Sequence, residues 1–259
     1  MISRVSIESE VKNGITQLKS AFFNTPFKVL DIREDKQKTM LELILMCSSP
    51  GVLDGDELYF DYTLNKGSHL ELTTQSFQRL FSMEKSAFQE TKVTLNENAF
   101  LCYLPHPCVP HKGACFKNIT TIFLDKKASI LWGEIFTSGR KLKGEVFEFK
   151  QFQSVTKIYK ENNLVFFENL YLKPSESNPM NLGQYEGFTH QLCLVFLHDS
   201  CDVKLLKMQL NTFLNEKNVM FGISEAPTNG LVVKILYNKA EKLFLWMKEM
   251  AEIIKKNEF

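Results

Sequence analysis

A mainly β protein ending in two α-helices is predicted by three observations. Apolar and polar residues alternate with period two from Ser6 to about Leu172, and turn-forming residues recur every eight to twelve positions along that stretch. After a run rich in Pro, Ser, Asn and Gly, KPSESNPMNLGQY from Lys173 to Tyr185, the period changes to one that includes helices. The chain of 259 residues is 44% hydrophobic, enough to bury a sizeable core. It reads as one domain over 1–259, divisible into a β-rich body, 1–172, and a β-α-β-β-α part, 186–259.

Leu58, Phe60, Tyr62 and Leu64 alternate with Tyr59, Asp61 and Thr63, which predicts a strand with one buried face. Asn65, Lys66 and Gly67 then turn the chain into a strand from Ser68 to Thr74, and a hairpin is the simplest reading of the pair. Further strands are expected near Thr91–Leu95, Phe100–Leu104, Asn118–Leu124, Ser129–Phe136, Val146–Phe152 and Leu164–Leu172. Beyond the polar run, a strand Thr189–Leu197 precedes a helix capped by Asp199, Ser200 or Asp202, with Leu206, Leu210, Phe213 and Leu214 on one face. Strands Val219–Ile223 and Leu231–Tyr237 lead to a final helix from about Asn238. Its stripe of Leu243, Trp246, Met247, Met250, Ile253 and Ile254 reads as core.

Composition narrows the function. Thirty-one basic residues against thirty acidic ones leave a net charge of +1, and only four of the basic residues are Arg, so no nucleic-acid partner is expected. The opening residues, MISRVSIESEVKNG, are too polar for a secretory signal, and apolar runs such as LELILM fall short of a membrane span. A cytoplasmic protein without a membrane partner is expected, with its six cysteines reduced. The phosphate-binding, dinucleotide, nucleophile-elbow, HExxH and CxxC signatures are all missing, which argues against a nucleotide-driven or zinc-dependent enzyme.

Two carboxylates stand out. Glu134 shares a face with Ile130, Trp132 and Phe136 while Leu131 and Ile135 occupy the other, so both faces of that strand read as buried. Glu168 shares a face with Leu164, Phe166, Leu170 and Leu172, opposite Val165 and Phe167. A buried carboxylate left bare costs several kcal/mol, so each must be paired, hydrated, protonated or in contact with a cation. Two readings stay open: an ion pair, with Arg140 serving Glu134, or a hydrated interior passage in which carboxylates are passing oxygen ligands. LDGDEL gathers Asp54, Asp56 and Glu57 around Gly55, a cation-compatible turn that is also a common surface turn. Ser76 follows a strand end, where a hydroxyl ordinarily bonds local backbone. Cys102, His106, Cys108, His111 and Cys115 are the densest run of soft ligands, with Cys108 and His111 able to converge only through a turn at Pro110; buried thiols and surface imidazoles are the alternative.

Taken in order and spacing, PGVLDGDEL, LNKGSHLELTTQS, PHPCVPHKG and ILWGEIFTSGR followed by KGEVFEF resemble the urease accessory protein D family (UreD), called H (UreH) in some bacteria. The likeness runs from FFNTPF, Phe22 to Phe27, taken as the first strand, through QYEGFTH to the last helix. It implies a protein that is not an enzyme, folded as a superhelical, β-helix-like stack of many short strands with two C-terminal α-helices. It further implies a maturation scaffold and metallochaperone that links apo-urease to the F- and G-type accessory proteins and conducts nickel through an internal tunnel. No tightly bound cofactor is expected, only transient Ni²⁺. Carried over by motif, the polar interior positions of that path fall on Asp56, Ser76, Glu134 and Glu168. Two departures remain: PHPCVPHKGAC is richer in Cys and His than the family's matching stretch, which makes Cys108 and His111 secondary metal candidates, and DGD stands where the family has GGD. A β-rich hydrolase using acids 54–57 with a histidine base, and a nickel-independent interaction module, are the competing readings.

Overall fold

The computed structural model describes residues 1–258. The strands are β1 (Ile2–Lys12), β2 (Ile15–Phe23), β3 (Phe27–Asp31), β4 (Leu41–Cys47), β5 (Glu57–Leu64), β6 (His69–Thr74), β7 (Gln78–Leu80), β8 (Ala87–Leu95), β9 (Phe100–Leu104), β10 (Cys108–Pro110), β11 (Cys115–Leu124), β12 (Ser129–Thr137), β13 (Gln151–Lys160), β14 (Asn163–Leu172) and β15 (His190–Leu197). Helix α1 (Val203–Asn215), strands β16 (Met220–Ala226) and β17 (Gly230–Tyr237), and helix α2 (Ala240–Glu258) complete the chain. The mainly β class with two C-terminal helices is as the periodicity predicts.

The strands form two open sheets. One runs β14-β13-β11-β8-β5-β1-β2 and the other β16-β17-β15-β12-β9-β6-β4-β3, with short β7 and β10 attached to the second. At the centre of the first sheet β1, β5, β8, β11 and β13 are mutually parallel, and at the centre of the second so are β4, β6, β9 and β12. Four-residue turns after Leu64, Leu95 and Leu124 each carry the chain from the first sheet to the second.

That arrangement corrects the hairpin expected at Asn65–Gly67. The turn is there, with Gly67 at φ +71°, but β5 and β6 lie in different sheets and do not pair. The local signature of a tight turn is the same in both cases; what separates them is that Leu64 stacks on Leu95 and Leu124 of its own sheet, while Leu70 stacks on Leu41 and Leu101 of the other. Two further expectations shift. FFNTPF is a strand end, a turn and a strand start, because Asn24 turns the chain by bonding Arg4 N and Ile2 O through its side chain and Pro26 has no N–H to give a ladder. The strand expected at Val146–Phe152 begins only at Gln151. Before it, Phe147 sits at φ +55° and, with Phe149, enters an aromatic cluster with Phe136, Phe152 and Tyr185.

Between the sheets lies the larger core, with Ile7, Tyr62, Leu72, Val93, Ile122 and Ile158 buried in it. A second core joins the outer face of the β9-β12-β15-β17 region to the helices. There Asp202, one of the three expected caps, accepts from Leu205 N, and Leu206, Leu210 and Leu214 of α1 are buried. Leu243, Trp246, Met247, Met250 and Ile254 of α2 are buried as predicted, with Ile253 partly so. Each such side chain stabilises the fold by roughly 1.5–3 kcal/mol. Gly133 explains part of the WGE motif: a Cβ there would stand 2.4 Å from Met247 Sδ, so the glycine lets α2 lie against β12. Among the described residues no helix is long and apolar enough to cross a membrane.

Candidate functional site

Inward-facing positions of the first sheet are not uniformly apolar. Strand register aligns Thr91 of β8, Thr120 of β11, Thr156 of β13 and Glu168 of β14 in one row, and Gln89, Asn118 and Ser154 in the next. Across from them the second sheet presents Tyr103, Trp132, Glu134 and Cys193, and the space between is a cavity of about 100 Å³. That volume accommodates several waters, each needing on the order of 10–15 Å³.

Glu134 is the most enclosed carboxylate of this cavity. Trp132 Nε1 and Thr156 Oγ1 donate to its Oε1 at 2.8 Å each, and Ser154 Oγ donates to Oε2 at 3.3 Å. Burial pushes its pKa above the ordinary carboxylate value; the bonds from Trp132 and Thr156 pull it back, and the charge of Glu168 adds to the rise. Among the described residues no cation pairs with it. Arg140, the partner in the ion-pair reading, binds Glu145 instead, through Nε to Oε2 at 2.9 Å and a second bond from Nη2, and it holds that carboxyl down at about 2. The reason is local: Glu145 lies on the same loop as Arg140, whereas Glu134 faces the space between the sheets.

Glu168 faces the same cavity but is compensated. Its Oε1 accepts from Lys234 Nζ of β17 at 2.8 Å, which ties the ends of the two sheets together, and its Oε2 accepts from Cys193 Sγ at 3.5 Å. The other face of β14 is not buried as expected: Phe167 is exposed, and a register shift opposite Ile158/Tyr159 moves Leu164 off the inner face into solvent.

A second cavity, of about 110 Å³, adjoins the first and is lined by Cys47, Val52, Asp56, Phe60 and Ser76 among others. The DGD turn separates its two acids. Asp56 is buried, accepting from Leu53 N at 2.8 Å and from the Met1 ammonium at 2.9 Å, whereas Asp54 is exposed and accepts from Lys85 N. Ser76 was expected inside; it is exposed at the rim, because the strand ends at Thr74 and the chain bends outward there.

Cys108 and His111 are not brought together. Cys108 lines the first cavity, where burial and the Glu134 charge push its thiol up, while His111 packs its ring on Phe81 in an outer groove beside Arg79 and Arg140. Cys193 is likewise pushed up by burial and by Glu168 and Glu134, so both cavity thiols stay protonated and are poor metal ligands in that form. Among the described residues no three His, Cys, Asp or Glu side chains converge on one point. Sequence reasoning missed Thr91, Thr120, Thr156, Asn118 and Gln89. Their signal was parity, since Thr120 falls on the same face as Phe116, Ile122 and Leu124. One atom in the cavity is singular: Asn118 donates through Nδ2 to Ser154, and its Oδ1 is buried with no donor.

A family model described as UreD urease accessory protein matches residues 2–258. The chain is 40% identical to a urease accessory protein UreD of Flavobacterium johnsoniae over 250 residues, covering 94% of this chain and 89% of that protein. It is 35% identical to a urease accessory protein UreH of Helicobacter hepaticus, covering 92% of each, and 32% identical to a urease accessory protein UreD of Acetivibrio thermocellus, covering 97% of each.

Proposed function

The chain belongs to the UreD family of urease accessory proteins, non-catalytic maturation factors that partner urease and other accessory proteins, and from that premise we propose that it passes nickel toward apo-urease through its two adjoining cavities. In this reading it is a cytoplasmic scaffold that links apo-urease to the F- and G-type accessory proteins, and its alternating parallel strands form a superhelical stack with the path inside. Nickel is cargo here.

The observation that carries the reading is the chemistry of the first cavity. Among the described residues it holds an enclosed carboxylate without a cationic partner, Glu134, two hydroxyls that bond it, and a buried amide oxygen, Asn118 Oδ1, with no donor. Buried acceptors ordinarily have a partner, and oxygen donors of this kind suit a hydrated divalent cation. Without three converging ligands the hold is weak, as conduction requires: a site must bind strongly enough to admit an ion and weakly enough to release it. Burial raises the pKa of Glu134, so an arriving cation favours its ionised form.

Coexpression with F- and G-type proteins and apo-urease, followed by purification and activation with nickel limiting, tests this. Glu134→Ala and Glu168→Ala are expected to co-purify with the partners and to activate urease slowly. Normal activation by both variants rejects the path, and failure of the wild-type chain to co-purify with any of these partners rejects the scaffold.

A further inference from the structure

The wall shared by the two cavities has a chemistry of its own. Gln78, Gln89, Tyr103, Pro105 and His106 face both spaces. Gln78 on β7 and Gln89 on β8 meet across the junction, with Nε2 of the former donating to Oε1 of the latter at 2.7 Å. An amide oxygen carries two lone pairs, so this bond leaves acceptor capacity on both side chains. His106 is clamped beside them. Its backbone N–H donates to Thr74 Oγ1 at 2.8 Å, its Nδ1 lies 3.1 Å from the same oxygen, and its ring stacks on Phe244 of α2 at 4.1 Å between centroids. Burial lowers the pKa of the ring, partly offset by a backbone hydrogen bond to Thr74.

An ion moving from Asp56 to Glu134 has to cross this junction, where no carboxylate stands. We infer that Gln78, Gln89 and His106 form a hand-over point at which a divalent cation of borderline softness exchanges part of its water shell for amide oxygens and an imidazole nitrogen. The inference rests on the path proposed above and adds its middle step. Three neutral donors suit that step: a charge at the neck would hold the ion between two acidic chambers, whereas an apolar neck would force complete dehydration. Oxygen and nitrogen donors together favour a nickel-like ion over a purely oxygen-seeking one such as Mg²⁺.

Trp132 makes the crossing observable. It stacks on Tyr103, whose ring borders both cavities, and donates to Glu134; the chain has only one other tryptophan, Trp246. In a Trp246→Phe background, Ni²⁺ mixed with the full chain is expected to quench Trp132. Gln89→Leu and His106→Leu are expected to slow that quenching and nickel-limited urease activation about tenfold, the scale on which altered metal surroundings change metal affinity. Gln89→Asn, which keeps the amide, recovers part of the rate, and thermal unfolding of each variant shows whether it is folded. Unchanged quenching and activation in folded neck variants, while Glu134→Ala and Glu168→Ala remain slow, overturns the hand-over point and leaves the path standing. Normal activation by the carboxylate variants as well overturns both.

Discussion

The two cavities share a wall but differ in how they treat a carboxylate. In the chamber beside Asp56 the acid is anchored to a backbone N–H and to an ammonium, and much of the remaining wall is apolar, with Val52, Leu58 and Phe60. In the chamber beside Glu134 the acid has only hydroxyl and indole donors, and the wall is a ladder of Thr, Ser, Asn and Gln side chains. A hydroxyl can rotate to serve a water or an ion instead; a backbone N–H held in a turn cannot. The Glu134 chamber is therefore built to exchange partners and the Asp56 chamber to hold one.

Activation kinetics put that contrast at risk most directly. Glu134→Ala is expected to lower nickel-limited urease activation by about tenfold or more, the scale of altered metal contacts, and Asp56→Asn by less. The reverse ranking, measured on purified complexes at matched protein concentration, makes the Asp56 chamber the exchanging one.

The wall strand β12 offers a structural test. Its inner face carries Glu134 and its outer face Gly133 against Met247. Gly133→Val overfills that contact and is expected to destabilise the chain by about 1–3 kcal/mol in denaturant unfolding. Met247→Ala in the same chain should recover part of this loss, because it removes the atoms that clash. If Gly133→Val is neutral, α2 is not pinned to the strand that holds Glu134.

Stability against pH separates the acids further. The folded pKa of Glu134 is raised by burial, so wild type and Glu134→Gln should match below pH 4.5, where the group is neutral both folded and unfolded. As pH rises from 4.5 through the raised folded value, the wild type bears the cost of ionising a buried group and Glu134→Gln becomes the more stable. Parallel melting curves across that window would show that Glu134 is already solvated.

Most of the architecture was legible because strand alternation is a local signal. Parity placed Glu134 and Phe136 on one face of β12 and the Leu243–Ile254 stripe on one face of α2. Which sheet a strand joins is not local, so the Asn65–Gly67 turn read as a hairpin when it crosses between sheets. The site was legible only where chemistry is loud. Glu134 and Glu168 stood out as charges among apolar residues, whereas Thr120 and Thr156 look like ordinary solvent-facing strand residues until register aligns them. The Cys and His run left two readings open for the opposite reason: residue type was suggestive, but alternation and the chain bend send Cys108 toward the first cavity and His111 to an outer groove.

Arg140 provides the smallest effect and a control outside both chambers. Its partner Glu145 has a folded value of about 2 against an ordinary 4.5, so the stabilisation it reports is fully present above pH 4.5 and is lost as pH falls through about 2. Arg140 is more than a third exposed, and solvent screening keeps the pair's contribution modest. Arg140→Ala should therefore lower the melting temperature slightly at neutral pH, with the difference closing at strongly acidic pH, and should leave nickel-limited activation unchanged if Arg140 serves only the loop. A loss of activation as large as that of Glu134→Ala, in a chain that still melts near the wild type, would mean that Arg140 acts on the path and that the separation between Glu134 and Glu145 does not hold in the working complex.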